Sequence, residues 1–336
     1  MSRYAEAHAN PQGAGDARPT ALQIVKDAEM EGKLAGKVAV ITGVSSGIGI
    51  ETVRAIAATG ATLYLTARDL NKAKTALGDI FKPDQMELIQ MDQASLDSVR
   101  SAAKAILSKT DKVSLLINNA GIMAVPEREL SKDGYELQFA TNHLSHFLLF
   151  NLLKPALLAA STPAFQSRVV NVSSSGHRPH GINASDNYHF QKGDYNPWVS
   201  YAQSKTANIY MANEIDRRYG SRGLHANSLH PGVIFTNLGT HLSAEQVEGM
   251  MKNPGWTKQW KSLEQGAATT VWAAVGKELE GKGGKYLSGC GETVRGPEGS
   301  QDSDHMETFV DHTYKPEDEA RLWKDSLEMV GLSDDE

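Results

Sequence analysis

Apolar positions along the chain follow two alternating rhythms. Short runs rich in β-branched residues, at 37–42 (KVAVIT), 61–66 (ATLYLT), 86–91 (MELIQM), 113–118 (VSLLIN), 168–173 (RVVNVS) and 224–229 (LHANSL), predict strands. Longer segments between them, near 47–59, 70–78, 95–109, 133–160 and 198–219, predict helices. One more strand is expected at 285–288, after a helix near 263–275. Strands taken in turn with helices imply right-handed crossovers, and so an α/β fold. The expected architecture is a doubly wound, mainly parallel, seven-stranded sheet with helices on both faces. It would occupy one domain at 35–295, with an N-terminal arm at 1–34 and a C-terminal extension at 296–336.

Outside that pattern the chain is mostly polar. Residues 1–20 carry Pro11, Gly13, Gly15 and Pro19, lack the apolar core of a signal peptide, and are expected to be disordered or loosely packed. The most apolar stretch, 147–160, is broken by Asn151, Lys154 and Pro155 and falls short of the roughly 20 residues of a membrane span, so no integral membrane segment is expected. The acidic end, 333–336, reads as a solvated tail. Among 336 residues, 34 Lys and Arg face 40 Asp and Glu, a net charge of −6. The cations are scattered, so nucleic acid and anionic membrane surfaces are not expected partners. A lone Cys290 excludes an intrachain disulfide and fits a reducing compartment, hence a cytoplasmic location.

Chemistry enters at the end of the first strand, which runs into Thr42-Gly43-Val44-Ser45-Ser46-Gly47-Ile48-Gly49 and then a helix. Glycines there let backbone N–H groups approach a pyrophosphate at a helix N-terminus, where the dipole favours an anion. The spacing Gly-x3-Gly-x-Gly resembles the TGxxxGxG element of the classical short-chain dehydrogenases and reductases, which have a Rossmann-type fold. At the end of the second strand stands Thr66-Ala67-Arg68-Asp69. An acidic side chain here would bond a ribose 2′-OH and repel a 2′-phosphate. In this chain Ala67 takes the place where NAD-preferring relatives carry Asp, and the Arg68 guanidinium suits a phosphate. NADP(H) is therefore expected over NAD(H), the alternative being that Asp69 reaches the ribose. Asp92 resembles the family residue that contacts adenine.

Asn118-Asn119-Ala120-Gly121 ends the fourth strand and matches the family's NNAG element. Tyr201 and Lys205 stand at i and i+4 on a predicted helix, so both point from one face. A phenol titrates near pH 10, and a cation one turn away would favour its phenolate. Ser174 ends the fifth strand, where parallel sheets place ligands, and its hydroxyl can orient a carbonyl. Ser173 and Ser175 offer the same group, and the family's NxSS pattern selects Ser174. Asn142 sits mid-helix, where an amide is mildly unfavourable. In the family the matching Asn holds a water that relays protons to the Lys. His230-Pro231-Gly232-Val233-Ile234-Phe235-Thr236 resembles the PGxxxT element, in which Val233 and Thr236 would contact the nicotinamide carboxamide.

The resemblance spans about residues 35–292 with its motifs in the family's order. The stretches ATNHLSHFLL, NVSSSGHR, SKTANI, HPGVIFTNL and GKYLSGC look like the branch of retinol dehydrogenases and the WW-domain-containing oxidoreductase. It implies hydride transfer between a nicotinamide and a carbonyl or secondary alcohol of a fairly apolar small molecule, with Tyr201 as general acid and base. A non-enzymatic NADPH-binding regulator or scaffold is the alternative, although its usual signature, a lost catalytic residue, is absent. Relatives often pair through the helices carrying Asn142 and Tyr201, so a homodimer or homotetramer is expected unless the C-terminal extension blocks it.

Two segments are expected at the mouth of the site. The insertion 176–197 is rich in His, Pro, Gly and Asn and would shape the pocket. Its His177-x2-His180 has no Cys or acidic third ligand at fixed spacing, so surface histidines rather than a metal site are expected. Residues 239–261 form an amphipathic segment, either a substrate lid or ordinary core packing. His143 and His146 read as packing or interface residues.

Overall fold

The computed structural model describes residues 2–299 and 305–334. Asp335 and Glu336 of the acidic tail lie outside them.

The sheet is built from β1 (Val38–Thr42), β2 (Thr62–Ala67), β3 (Met86–Gln90), β4 (Leu115–Asn118), β5 (Ser167–Val172), β6 (Leu224–Leu229), β9 (Lys285–Ser288) and β10 (Gly291–Glu292). Its order is β10-β9-β6-β5-β4-β1-β2-β3, parallel throughout except for the β10 edge, which pairs antiparallel to β9. The sheet therefore has eight strands, not seven. The extra strand is a two-residue return after Gly289, too short to leave a hydrophobic pattern. β4, β5 and β6 are buried along their whole length, as expected of strands covered on both faces.

One apolar layer lies between the sheet and α3 (Ile48–Ala58), α2 (Ala21–Asp27) and α12 (Ala268–Val275). The other lies under α5 (Leu96–Leu107), α7 (Ser145–Ala160), α8 (Pro197–Tyr219) and α13 (Pro316–Met329). Strand order reverses between β1 and β4, so the crevice beyond their carboxyl ends is where such a sheet takes a ligand.

Both extensions are packed, contrary to the expectation for the arm. α1 (Ala5–Ala9) and α2 are formed, and Arg18, 3% exposed, donates to the carbonyls of Gln259 and Trp260. Gln265 holds Gly15 N and the carbonyls of Asp16 and Arg18 from the other side. Polar side chains that bond distant backbone give no local apolar signal, which is why the arm looked unstructured. At the other end, Trp323 of α13 packs edge-on against Phe147 and Phe150, and His143 Nε2 bonds Ser326. α13 thus occupies the α7–α8 face through which the resemblance would have relatives pair.

The single helix expected at 133–160 is split. α6 (Leu137–Phe139) leads into a π-helical turn, Ala140–Leu144, and then α7. The wider turn carries Asn142 and marks a local insertion of the kind found at functional sites.

Candidate active site

β1 delivers Thr42 and Gly43 to the carboxyl edge of the sheet. Gly43 has φ +75°, and a Cβ there would stand 2.7 Å from Ala120 Cα. A Cβ at Gly49 would lie 2.2 Å from the Gly43 carbonyl oxygen. Only glycine fits either place, because the turn, the start of α3 and the Asn118–Gly121 loop interpenetrate. Thr42 Oγ1 accepts the N–H groups of Asn119 and Ala120, both at 3.0 Å, and so must give its own proton to His146 Nε2 at 2.9 Å. His146 then donates from Nδ1 to the Asn142 carbonyl at 3.0 Å. Burial pushes this imidazole down to about 4, which keeps it neutral and fixes that tautomer.

Asn119 Nδ2 bonds the carbonyls of Thr42 and Gly43, while its Oδ1 is buried without a protein partner. α3 opens at Gly47, which caps nothing with a side chain. The first N–H groups of this helix, beside Ser45, Ser46 and Ile48, therefore have no capping side chain. Such a terminus is suited to a diphosphate.

Ser174, Tyr201, Lys205 and Asn142 come together at this edge. Ser174 Oγ accepts the Gly176 N–H at 2.9 Å and stands beside the Tyr201 ring, both within 3.2 Å of where a Cβ on Gly176 would lie. Burial pushes the Tyr201 phenol up to about 12, partly offset by Ser174. The lowering expected from Lys205 is not among the forces on it. Lys205 Nζ lies over the Tyr201 ring, 5.6 Å from its centroid, and donates to the Val172 carbonyl at 3.1 Å. Burial pushes Lys205 itself down to about 8.

Asn142 Oδ1 accepts the Ile122 N–H at 2.8 Å, and its Nδ2 donates to Ile122 O and Ser204 Oγ. A Cβ on Gly121 would stand 3.1 Å from Asn142 Oδ1 and 3.3 Å from Lys205 Nζ, so the NNAG loop closes directly over both. Of the neighbouring serines, Ser173 spends its hydroxyl on the Lys205 carbonyl, and Ser174 Oγ lies beside the Tyr201 ring at Gly176.

At the far end of the crevice Arg68 is exposed, and Asp69 caps α4 (Leu70–Leu77) by accepting the Lys72 N–H at 2.9 Å. Burial works against the Asp92 carboxylate, yet Lys132 Nζ at 2.9 Å and the Ala94 N–H hold it below the usual carboxylate range. Pro231, Gly232 and Val233 follow β6. Val233–Ile234 forms β7, paired in parallel with β8 (Trp260–Lys261), and a Cβ on Gly47 would stand 3.5 Å from the Thr236 side chain. Between them α9 (Ala244–Lys252) and α10 (Pro254–Gln259) bury no residue at all, so this segment is not core. No helix among the described residues is long and apolar enough to cross a membrane.

The sequence profile of the short chain dehydrogenase family matches residues 37–247. A short-chain dehydrogenase/reductase, prx1, from Penicillium roqueforti is 49% identical over 332 residues, covering 99% of this chain and 96% of its own. The chain belongs to the short-chain dehydrogenase family. Oxidoreductase calI from Penicillium decumbens is 45% identical, covering 99% of this chain and 98% of its own. Retinol dehydrogenase 13 from Homo sapiens is 35% identical, covering 88% of this chain and 85% of its own, which supports the branch read from the sequence. A solved structure of an uncharacterised protein from Mycobacterium paratuberculosis has a TM-score of 0.67 at 29% identity, covering 94% of this chain and 97% of its own. The Pseudomonas aeruginosa RhlG/NADP complex, at TM-score 0.61 and 22% identity over 75% of this chain and 94% of its own, shares the fold. An oxidoreductase using a nicotinamide cofactor follows from membership of this short-chain dehydrogenase family.

Three side chains of the site escaped the sequence pattern. His146 fixes the glycine turn to Asn142, yet looks in sequence like one more helix residue. Gly176 leaves room for the Tyr201 ring: a Cβ there would stand 2.8 Å from Tyr201 Cε1. His177 was expected at the surface but is fully buried against Tyr286, and most of His189 is buried against Tyr135 and Phe139.

Proposed function

We propose that this chain is an NADP(H)-dependent ketoreductase acting on a fairly apolar small carbonyl compound, the observation that carries this being the Ser174–Tyr201 contact with Lys205 beneath the ring. Gly43, Ser45, Ser46, Gly47, Ile48 and Gly49 would hold the diphosphate, with Asn119, Ala120 and Gly121 lining the opposite wall. Arg68 would take the 2′-phosphate, since Asp69, the rival for the ribose, is engaged as a helix cap. Asp92 would lie at the adenine, and Pro231, Gly232, Val233 and Thr236 at the carboxamide. The bound cofactor supplies a hydride.

The residues supply the rest. Ser174 donates its hydroxyl proton as a hydrogen bond to the substrate carbonyl. Burial pushes the Tyr201 phenol up to about 12, so it carries its proton at neutral pH and in the reductive direction would give it to the developing alkoxide. Lys205 would hold the ribose, and a water held at Asn142 would return the proton by way of Lys205. Exposed Trp198, one turn before Tyr201, and exposed Phe235, in the loop that carries Thr236, favour an apolar substrate. Cys290, buried and pushed up to about 12, is inert as a thiolate and compatible with a cytoplasmic setting.

The test pairs NADPH and NADH fluorescence titrations with turnover of the Tyr201→Phe variant. Tighter NADPH binding and a kcat loss of at least about 100-fold with unchanged NADPH affinity are expected. A scaffold would bind NADPH and turn over no carbonyl in either form.

A further inference from the structure

We propose that His177, braced by Thr313 of the C-terminal extension, is a positioning residue that sets the Ser174 hydroxyl against Tyr201. The role rests on the reductase assignment above and adds to it a device outside the nucleotide-binding sheet.

The proton directions are forced. His177 Nδ1 lies 2.7 Å from the Ser174 carbonyl oxygen, which can only accept, so Nδ1 carries the proton. In a neutral imidazole Nε2 is then an acceptor, and its partner at 3.0 Å is Thr313 Oγ1, which must donate. Thr313 Oγ1 in turn accepts the Val310 N–H at 3.2 Å. Both His177 and Thr313 are fully buried, and burial pushes the imidazole down to about 3, so this single arrangement persists at neutral pH. The Ser174 carbonyl also accepts the His177 backbone N–H at 3.1 Å. On the next residue, Ser175 N–H is fixed by His230 Nδ1 at 3.0 Å. The serine is thus held at its own carbonyl and at the following amide by two neutral histidines.

What makes this a positioning device is where Thr313 is tied. Tyr210 and Asn213, on the same helix α8 that carries Tyr201, donate to the carbonyls of His312 and Thr313 at 2.6 Å and 3.4 Å. His312 Nε2 returns to the His177 carbonyl at 2.9 Å. Residues 312–313 therefore bridge the serine turn to the tyrosine helix, and the Tyr286 ring packs edge-on against His177, 4.7 Å between centroids. Hydroxyl placement near the reacting carbonyl tolerates little error, because a misplacement of about 1 Å can cost about 100-fold in rate.

The experiment measures kcat and KM for an apolar aromatic diketone, phenanthrenequinone, with NADPH, together with NADPH affinity by fluorescence. Asn places an N–H where His has Nδ1, so His177→Asn retains the donor to Ser174, whereas His177→Gln and His177→Leu do not. Expected is a kcat loss of about 10- to 100-fold for the Leu and Gln variants with NADPH affinity unchanged, recovery to within about threefold in the Asn variant, and a smaller kcat loss for Thr313→Val. Equal kcat in the Asn and Leu variants overturns the proposal, as does a loss confined to NADPH affinity.

Should the Leu variant fail to fold, nitrogen-15 spectra of histidine-labelled wild type decide, since His177 must show the Nδ1–H tautomer and Thr313→Val must shift its Nε2. An Nε2–H tautomer overturns the proposal. Wild type that binds NADPH but reduces no ketone sinks the reductase assignment and this role with it. Active wild type matched by every variant sinks this role alone.

Discussion

Gly176→Ala isolates the fit between the serine turn and the Tyr201 phenol. Gly176 does not need the left-handed backbone region, so alanine brings no strain of its own. Its Cβ would stand 2.8 Å from Tyr201 Cε1, 3.2 Å from Tyr201 Cδ1 and 3.2 Å from Ser174 Oγ. Carbon atoms rest about 3.5–4.0 Å apart, so the ring or the turn must retreat by about 0.7–1.2 Å. Lys205 and Trp198 lie against the ring, and the bond from Gly176 N–H to Ser174 Oγ ties the turn to the serine. A displacement of that size predicts a kcat loss of about 100-fold and an overpacking cost of about 1–3 kcal/mol. Steady-state turnover, NADPH titration and thermal melting, run on one preparation, separate the two. A kcat within twofold of wild type would refute the reasoning, and so would a fall in NADPH affinity matching the fall in kcat.

Two other outcomes are expected. Arg68→Ala should weaken NADPH binding about tenfold or more, the worth of a charge-assisted pair to phosphate, and leave NADH binding unchanged; equal weakening of both in parallel titrations would remove Arg68 from the phosphate site. For stability, burial pushes His143, His177 and His230 down to about 3 and His146 and His189 to about 4, from an ordinary value of 6.5. The unfolded chain binds these protons first, so their contribution is complete above about pH 6.5 and is lost as pH falls toward 4 and then 3, at up to about 1.4 kcal/mol per pH unit for each. Melting temperature should therefore fall steadily from pH 6.5 to pH 5, where ordinary carboxylates still contribute little; a flat profile there would contradict buried neutral histidines.

How much of this was legible depends on whether a signal is local. Gly43, Gly47 and Gly49 are local: strand, glycine spacing and helix sit within a dozen residues or so, and their crowding against Ala120 and Asn119 is a consequence of that turn. Tyr201 and Lys205 share a helical face, so their neighbourhood is also written in the spacing. Ser174 was selected by the NxSS resemblance among three adjacent serines, and its place beside Tyr201 and the engagement of Ser173 Oγ by the Lys205 carbonyl are visible only in the fold. His177 was hidden for the same reason: its partner Thr313 is 136 residues away, and a buried histidine satisfied by distant polar groups looks in sequence like a loop histidine. The arm failed worst. Its anchors, Arg18 to Gln259 and Trp260, join polar side chain to backbone across 241 and 242 residues, a bond that leaves no hydrophobic periodicity.

The two extensions also meet at one place, the foot of the lid. Arg18 of the arm holds the carbonyls of Gln259 and Trp260, and the next residue, Lys261, is buried and pairs with Glu307 of the C-terminal extension at 3.1 Å. Burial pushes the Glu307 carboxyl up, but the Lys261 ammonium outweighs it and leaves it below its ordinary value. Removing either member of such a pair strands the other charge, so the connection resists breaking. The Lys261 stem lies against Gly232, where a Cβ would stand 2.6 Å from Lys261 Cδ, so the cofactor-side loop and the end of the lid are fixed to each other. Between these anchors α9 and α10 bury nothing, and local opening draws on segments with few buried contacts. Among the described residues, the span between Thr236 and Gln259 thus has few buried contacts, its tie to the arm being the Gly13 N–H given to the Lys258 carbonyl at 2.9 Å. Ser174 is tied to His177 and Gly176, and Tyr201 through Ser204 to Asn142, and none of these belongs to that span, so a movement of the span would leave those ties in place.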